Sequence, residues 1–326
     1  MGAISFKALY NKDLPQIEYL IDKLIPKRGL VYFYGPPKSF KTNLLLYMCV
    51  MGHEGKNIFD FKVPKPFRVW WVDEENGMAG MKDKLKKIVK GANIDIDTFD
   101  DDAFLIYSGF KLDANWLEKL KNVIGKYKPD LIVIDSIAKV FIGDEREVRD
   151  VAKIFDGVKP LIEQFGISIV FIHHARKNKD RTLSDVAGSR EFTASADIVL
   201  YSEQFKRNKD TKSFLFRQDT NRYDLEIEPL NFDVHGDDEK LIIEFTGLAT
   251  DNIKSIILKI KSEILAWMQE NPNELYTQTE IVNAMKSKNF RKTSTETATQ
   301  ELVHDRVLTK SKKGNSSNYS LLGEKA

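Results

Sequence analysis

The chain contains a single cysteine, Cys49, among 326 residues. One thiol can form neither an internal disulfide nor a cysteine-based zinc site, so the expected setting is a reducing, cytoplasmic one and the fold must rely on its core. Long apolar runs are missing as well. No stretch of about 18 apolar residues occurs, and Met1 to Lys12 lacks the basic-then-apolar layout of a signal peptide. Membrane insertion and secretion are therefore not expected. Neither charge is in excess, with Lys+Arg 50 against Asp+Glu 48 and a formal net charge of +2, so bulk charge selects no class of partner. Internal repeats and low-complexity tracts are also absent.

What is present is 42% hydrophobic content over a length that suits two domains, enough to build cores and to exclude wholesale disorder. Between Leu30 and Leu200, short β-rich runs alternate with helical stretches, the pattern of an α/β domain with a mostly parallel sheet. The runs Leu30–Tyr34, Phe67–Val72, Phe104–Tyr107, Leu131–Ile134 and Ile167–Ile172 read as buried strands. Helices are expected over Lys41–Met51, Met78–Lys90, Ala114–Tyr127 and Val148–Phe165, the last kinked or broken at Pro160. Beyond Asp197, the runs Ile198–Phe205, Ser213–Gln218 and Leu241–Phe245 suggest antiparallel strands extending the same sheet. Gly247–Asn252 reads as a linker. It divides a first domain, 1–248, from a second, 249–326, with helical spacing over Ile253–Met268, Thr277–Met285 and Thr295–Val303 and then a hairpin from Val307 to Leu322. Three helices and a hairpin form a winged-helix pattern, with the turn Lys312–Asn318 as its wing.

The strongest chemical signal is Gly35-Pro36-Pro37-Lys38-Ser39-Phe40-Lys41-Thr42-Asn43, between an expected strand and an expected helix. Backbone N–H groups of such a loop cradle phosphates at the positive end of the helix. Lys41 would reach the terminal phosphates of ATP, and the Thr42 hydroxyl would ligate Mg²⁺. Phe40 stands where the pattern carries glycine. A phenylalanine is expected to avoid glycine's backbone angles, so the loop should enter the helix with ordinary dihedrals. Asp135, at the end of an apolar strand, is placed to hold Mg²⁺ through water.

Asp73-Glu74-Glu75 ends another strand on the same rim, where one acid could orient or deprotonate the attacking water while the others form a solvated turn. His173-His174 ends a third, and a neutral histidine there could sense the γ-phosphate. Zinc is disfavoured, because adjacent histidines point to opposite sides of a strand and no third ligand is evident. The basic stretch Arg176–Arg190 is too long for a plain connection. Arg217 and Arg222, at the end of a late strand, could project into a neighbouring subunit.

With DLPQIEYLIDKLIPKRGLVYFYGPPKSFKT (Asp13–Thr42), WWVDEEN, LIVIDS, FIHHARK and AGSREFTASADIVL at their spacings, the chain resembles RecA-fold ATPases of the RepA type. These are hexameric replicative helicases of plasmids and phages, related to DnaB-like helicases, and the resemblance covers about Leu14 to Phe245. It implies a RecA-like ATPase with Lys41 and Thr42 on phosphate and Mg²⁺ and Asp135 as the Walker B aspartate. Glu75 best matches the catalytic glutamate, with Glu74 as the alternative, and His174 the γ-phosphate sensor. Arg176–Arg190 matches a DNA-facing loop, with Phe141–Arg149 a second. Arg222 matches the inter-subunit arginine finger, ahead of Arg217, although the Lys-x-Arg pair of DnaB-like helicases is missing. The implied activity is ATP hydrolysis that drives movement along single-stranded DNA in plasmid or phage replication. A ring of identical subunits and a primase or other replication partner come with it. The alternatives are a regulatory ATPase whose nucleotide state switches DNA or partner binding without unwinding, and a non-catalytic initiator.

From Ile253 to Ala326 there are 12 Lys+Arg against 8 Asp+Glu, concentrated at Lys286–Lys292 and Lys310–Lys313. In a helix-turn-helix arrangement those positions would meet phosphates, and Thr295, Thr297 and Gln300 would face the major groove.

Overall fold

The computed structural model describes all residues except 1–2, 14–15, 143–147, 175–189, 271, 273, 289, 291, 314–315 and 323–326. The chain forms two compact units, Met1–Thr246 and Gly247–Ala326. Among the described residues, no helix is long and apolar enough to cross a membrane.

The first unit opens with a short helix α1 (Phe6–Tyr10) and a small hairpin of β1 (Tyr19–Ile21) and β2 (Ile25–Pro26). Then come β3 (Leu30–Gly35), α2 (Lys41–His53), β4 (Val69–Asp73), α3 (Gly77–Gly91), β5 (Phe104–Tyr107), α4 (Trp116–Tyr127) and β6 (Leu131–Asp135). The chain continues through α5 (Ile137–Val140), α6 (Val148–Phe165), β7 (Ser168–His174) and α7 (Arg190–Ser195). It closes with β8 (Ile198–Arg207), β9 (Thr211–Asn221), β10 (Leu230–Gly236) and β11 (Leu241–Leu248). Nine strands form one sheet in the order β11-β10-β9-β8-β3-β7-β6-β4-β5. The run β8-β3-β7-β6-β4-β5 is parallel throughout.

Two-residue alternation assigns the faces of β3. Leu30, Tyr32 and Tyr34 join a buried cluster with Trp70, Ile132, Phe155, Phe171 and Phe192, beneath α4, α6 and α7. Phe33 points the other way and meets Phe216 edge to face at 5.9 Å. Strands buried on both faces read as unbroken apolar runs, which is why LVYFY and LIVI stand out in the sequence. Helix α2 buries Leu44, Leu45, Leu46, Met48, Cys49 and Val50, so Cys49 is a core residue, and burial pushes its thiol pKa up.

Four expectations change. β8 is not antiparallel to its inner neighbour: it lies parallel to β3, and the antiparallel run begins at β9. An unforeseen strand, β10, pairs with β9 and buries Leu230, Phe232 and Val234 between polar neighbours. Pro160 does not break α6. It lies on the exposed face, where water can satisfy the carbonyl that its missing N–H leaves free. Ala249–Asn252, expected in a linker, already belongs to the next helix.

That helix, α8 (Ala249–Gln269), opens the second unit, followed by β12 (Tyr276–Thr277), α9 (Gln278–Ser287), α10 (Lys292–His304), β13 (Leu308–Lys313) and β14 (Ser316–Leu321). The three strands form a sheet in the order β12-β14-β13. Ile260, Ile264, Met268, Ile281, Met285, Ala298 and Leu302 make the core between the helices. Thr277 starts α9 with a capping box, its hydroxyl accepting from the Glu280 N–H while Glu280 accepts from the Thr277 N–H. On α10 the helical period turns Thr295, Ala298, Thr299 and Leu302 inward. Thr295 is fully buried and cannot face a groove, whereas Thr297 and Gln300 are exposed.

Candidate active site

β3 delivers the chain to the loop Gly35–Phe40, and α2 begins at Lys41. Gly35 is required by close approach, since a Cβ there would collide with the Ser202 carbonyl of β8. Ser202 also donates its hydroxyl to the Ser39 carbonyl at 2.7 Å, which fixes the loop against β8. Pro36, Pro37 and Lys38 form the outer bend, with Pro37 and Lys38 exposed.

Phe40 corrects the expectation of ordinary dihedrals. It adopts the left-handed conformation, φ 69° and ψ 11°, as glycine would. That geometry costs a non-glycine residue about 1 to 2 kcal/mol. The ring offsets it by packing 5.1 Å from Phe214 and 6.1 Å from Phe232. The aromatic side chain thus holds a glycine-like turn by tertiary contact.

Lys41 is buried, and its ammonium donates to the carbonyls of Gly35 (3.0 Å) and Pro36 (2.9 Å), to Ser39 Oγ (3.1 Å) and to His174 Nδ1 (3.2 Å). Burial pulls its pKa down to about 8, against the opposing pull of Asp135 and Glu75. An ammonium only donates, so His174 Nδ1 must accept; the ring proton then sits on Nε2 and is donated to Glu75, whose two carboxylate oxygens lie at 2.9 Å. This hydrogen bond holds the Glu75 carboxyl below its ordinary range. Lys41, His174 and Glu75 form one connected chain on the rim of the sheet.

The sequence left two acids open, and the structure separates them. Glu75 faces the cleft beside Lys41, Thr42 and His174. Glu74 is turned away: its Oε1 accepts from the Phe110 N–H at 2.8 Å, and Lys111 lies 3.6 Å from its Oε2. Asp73 builds the turn, with Oδ1 accepting from the backbone N–H of Glu75 and Asn76 and from the Asn76 amide. His173, one residue before His174, points to the opposite face and bonds the Tyr32 hydroxyl inside the core.

Mg²⁺ fits the donors present. The Thr42 hydroxyl donates to Asp135 Oδ2 at 2.8 Å, while Asp135 Oδ1 and Asp73 Oδ2 are buried with no hydrogen-bond partner among the described residues. Burial raises the Asp135 carboxyl to about 7, the Thr42 hydrogen bond pulling the other way. Hard oxygen donors of this kind suit a small divalent cation that keeps water and phosphate in its shell. Thr42 and Asp135 would hold it, and its charge would offset that developing on the transferred phosphoryl group.

The cleft has a volume of about 600 Å³ and continues past the loop to a wall that the sequence did not reveal. Asn43 and Lys84 also line it, with Gln204, Arg207, Lys209, Asp210, Lys212 and Phe214 and with Val234, His235, Asp237 and Leu241. Those from Gln204 onward come from the β8–β9 and β10–β11 hairpins, distant in sequence from the loop and without a motif of their own. A cleft rich in lysine and arginine, with Phe40, Phe214, Val234 and Leu241 among its lining, is chemically suited to a nucleoside polyphosphate.

Residues 3–180 match the sequence model of a family described as the AAA domain (AAA_25). The chain belongs to this AAA family. It is accordingly a P-loop ATPase, and the matched segment contains the loop, Glu75, Asp135 and His174. No curated protein matches the chain.

The two arginines behave differently in this ATPase. Arg217 is engaged within its own chain: its guanidinium lies 3.9 Å over the Tyr201 ring, and Nε donates to Asp219 Oδ1 at 2.6 Å. Asp219 also accepts from the Tyr34 hydroxyl, so the network braces the strand that enters the loop. Arg222 lies at the other end of the sheet, where its backbone N–H donates to the Asp197 carbonyl and its guanidinium to the Ala194 carbonyl. Asp197 in turn accepts from the Leu30 N–H, at the start of β3. Arg222 is thus about 17 Å from its own loop, the length of β3 at about 3.3 Å per residue. Its side chain is 45% exposed. Arg217→Ala should destabilise the first unit by about 1 to 3 kcal/mol, because Asp219 loses its cation in a mostly buried position. Arg222→Ala should cost under about 1 kcal/mol; denaturant melts compare the two directly.

Of the two segments that the resemblance placed against DNA, residues 176–189 of the first and 143–147 of the second lie outside the described residues.

Proposed function

We propose that this ATPase is a ring-forming translocase or helicase of the RepA type, acting on single-stranded DNA in plasmid or phage replication. The observation that carries the reading is the Lys41–His174–Glu75 chain. It joins the candidate γ-phosphate site to the last residue of β7, which leads directly into the basic segment Arg176–Arg190. Loss of the γ-phosphate would free Lys41 and Glu75 to reset His174, and the strand end would pass that change to a segment rich in phosphate-binding side chains. Arg222, half-exposed and far from its own loop, can serve ATP only in a neighbouring copy.

The second unit supports the reading as a winged helix, with α10 as the recognition element and the β13–β14 turn as the wing. Thr297 and Gln300 would be its groove-facing residues. Several of its basic residues are already paired, Lys288 with Glu263 at 2.7 Å and Lys261 with Glu301 and Asp305, which tempers its phosphate affinity.

The test is an ATPase assay with and without single-stranded DNA, alongside light scattering in ATP and strand separation of a forked duplex. Expected are DNA-stimulated turnover, a ring of identical subunits, and loss of turnover with retained ATP binding in Arg222→Ala. A monomer that hydrolyses ATP at full rate regardless of DNA would overturn the proposal.

A further inference from the structure

We infer that Lys84 is a ligand of the nucleotide, its ammonium pairing with the phosphate nearest the nucleoside. The inference rests on the ATP reading of the cleft. Lys84 belongs to α3, outside the P-loop, yet it lines the same cleft as Thr42, Asn43 and Glu75. It is half-buried, and its Nζ reaches across to α2 to donate to Asn43 Oδ1 at 2.9 Å.

Its neighbours on α3 show what is unusual. Lys87 pairs with Asp83 at 2.9 Å and Lys90 with Glu239 at 3.0 Å, while Lys82 and Lys86 are exposed to water. Lys84 alone is drawn inward onto a neutral oxygen, with no carboxylate partner among the described residues. An ammonium that has shed part of its hydration regains little from one amide oxygen and far more from an anion. In this cleft the anion is the ligand.

The position along the nucleotide follows from the order of groups. Glu75, His174 and Lys41 mark the terminal-phosphate end, and Thr42 comes next. Asn43 is the third residue of α2, so its backbone N–H is one of the first-turn donors that no helical carbonyl accepts. A phosphate chain that follows the start of α2 away from Glu75, past Lys41 and Thr42, meets Asn43 and Lys84 last, all of them lining one cleft. Lys84 then carries a charge-assisted contact common to ATP and ADP.

The experiment titrates native protein, Lys84→Met and Lys84→Arg with ATP and with ADP, and melts each protein without ligand. Met keeps the apolar stem and removes the charge. Expected is about tenfold weaker binding of both nucleotides to Lys84→Met, a near-native Lys84→Arg, and unchanged melting. Native affinity for both nucleotides in Lys84→Met overturns the inference, and so does a loss confined to ATP, which would move Lys84 to the terminal phosphate. If Lys84→Met melts early, Lys84→Gln, which keeps a donor to Asn43 without charge, takes its place under the same criteria. A native protein that binds neither nucleotide overturns the ATP reading itself, a result distinct from failure of Lys84 alone.

Discussion

Glu75→Gln is expected to bind ATP and Mg²⁺ nearly as well as the native protein while losing hydrolysis by roughly 100- to 10,000-fold, the range for removing a positioned general base. The amide keeps the size of the side chain and a carbonyl oxygen for His174, but it cannot take a proton from water. Geometry singles this residue out: Glu75 faces the cleft within hydrogen-bond reach of His174, which itself bonds Lys41. The neighbouring acid supplies the control. Glu74→Gln should keep most of the turnover, since Glu74 accepts from the Phe110 N–H outside the cleft and an amide oxygen can do the same. Single-turnover hydrolysis measured beside nucleotide binding separates the two, and a dead Glu74→Gln with an active Glu75→Gln would reverse the assignment.

Lys41→Ala should abolish measurable turnover altogether. Here the charge is lost together with the loop's internal brace, since one ammonium holds the Gly35 and Pro36 carbonyls and the Ser39 hydroxyl. Removing it leaves these acceptors and His174 Nδ1 without their donor and the terminal phosphates without their nearest cation. The same environment fixes a pH window. Asp135, raised to about 7 by burial, must be ionised to hold Mg²⁺, so binding of the Mg²⁺–ATP complex should rise as pH climbs through 7. Lys41, lowered to about 8 by burial, must be protonated to meet phosphate, so binding should fall above 8. An affinity flat from pH 6 to 9 in titration calorimetry would contradict both limbs (about one unit beyond each value).

Much of the first unit is legible in the sequence because its central strands are buried on both faces. LVYFY and LIVI have no polar alternation, and α3, α4 and α6 carry an amphipathic period, so a parallel α/β sheet follows from pattern alone; FLIY, expected to be buried, is the edge strand β5 and only partly covered. β10 carries the strand period, Leu230, Phe232 and Val234 alternating with Asn231, Asp233 and His235, but Pro229 and the acidic residues before it give the stretch the composition of a loop. The direction of β8 was equally hidden, since apolar alternation says which face a residue occupies and nothing about the partner strand. Phe40 misled for a related reason. Local sterics penalise its left-handed backbone, and only Phe214 and Phe232, more than 170 residues away, make the conformation tolerable.

The sequence by itself determined the phosphate loop, the acids and histidines at the strand ends, and the alternation that builds the sheet, because each depends on residues close together in the chain. Tertiary structure decided which acid enters the cleft, that Arg217 is committed to Asp219 and Tyr201, and that Lys84 reaches Asn43. It also added to the cleft the side chains of two hairpins outside the matched family segment. These are questions of which side chain a neighbouring strand or helix leaves room for. Such an outcome is set by packing and by the competition for buried hydrogen-bond partners, which no local pattern encodes. The lone cysteine shows both: its number rules out an internal disulfide, and the fold buries the thiol in α2 as a core residue.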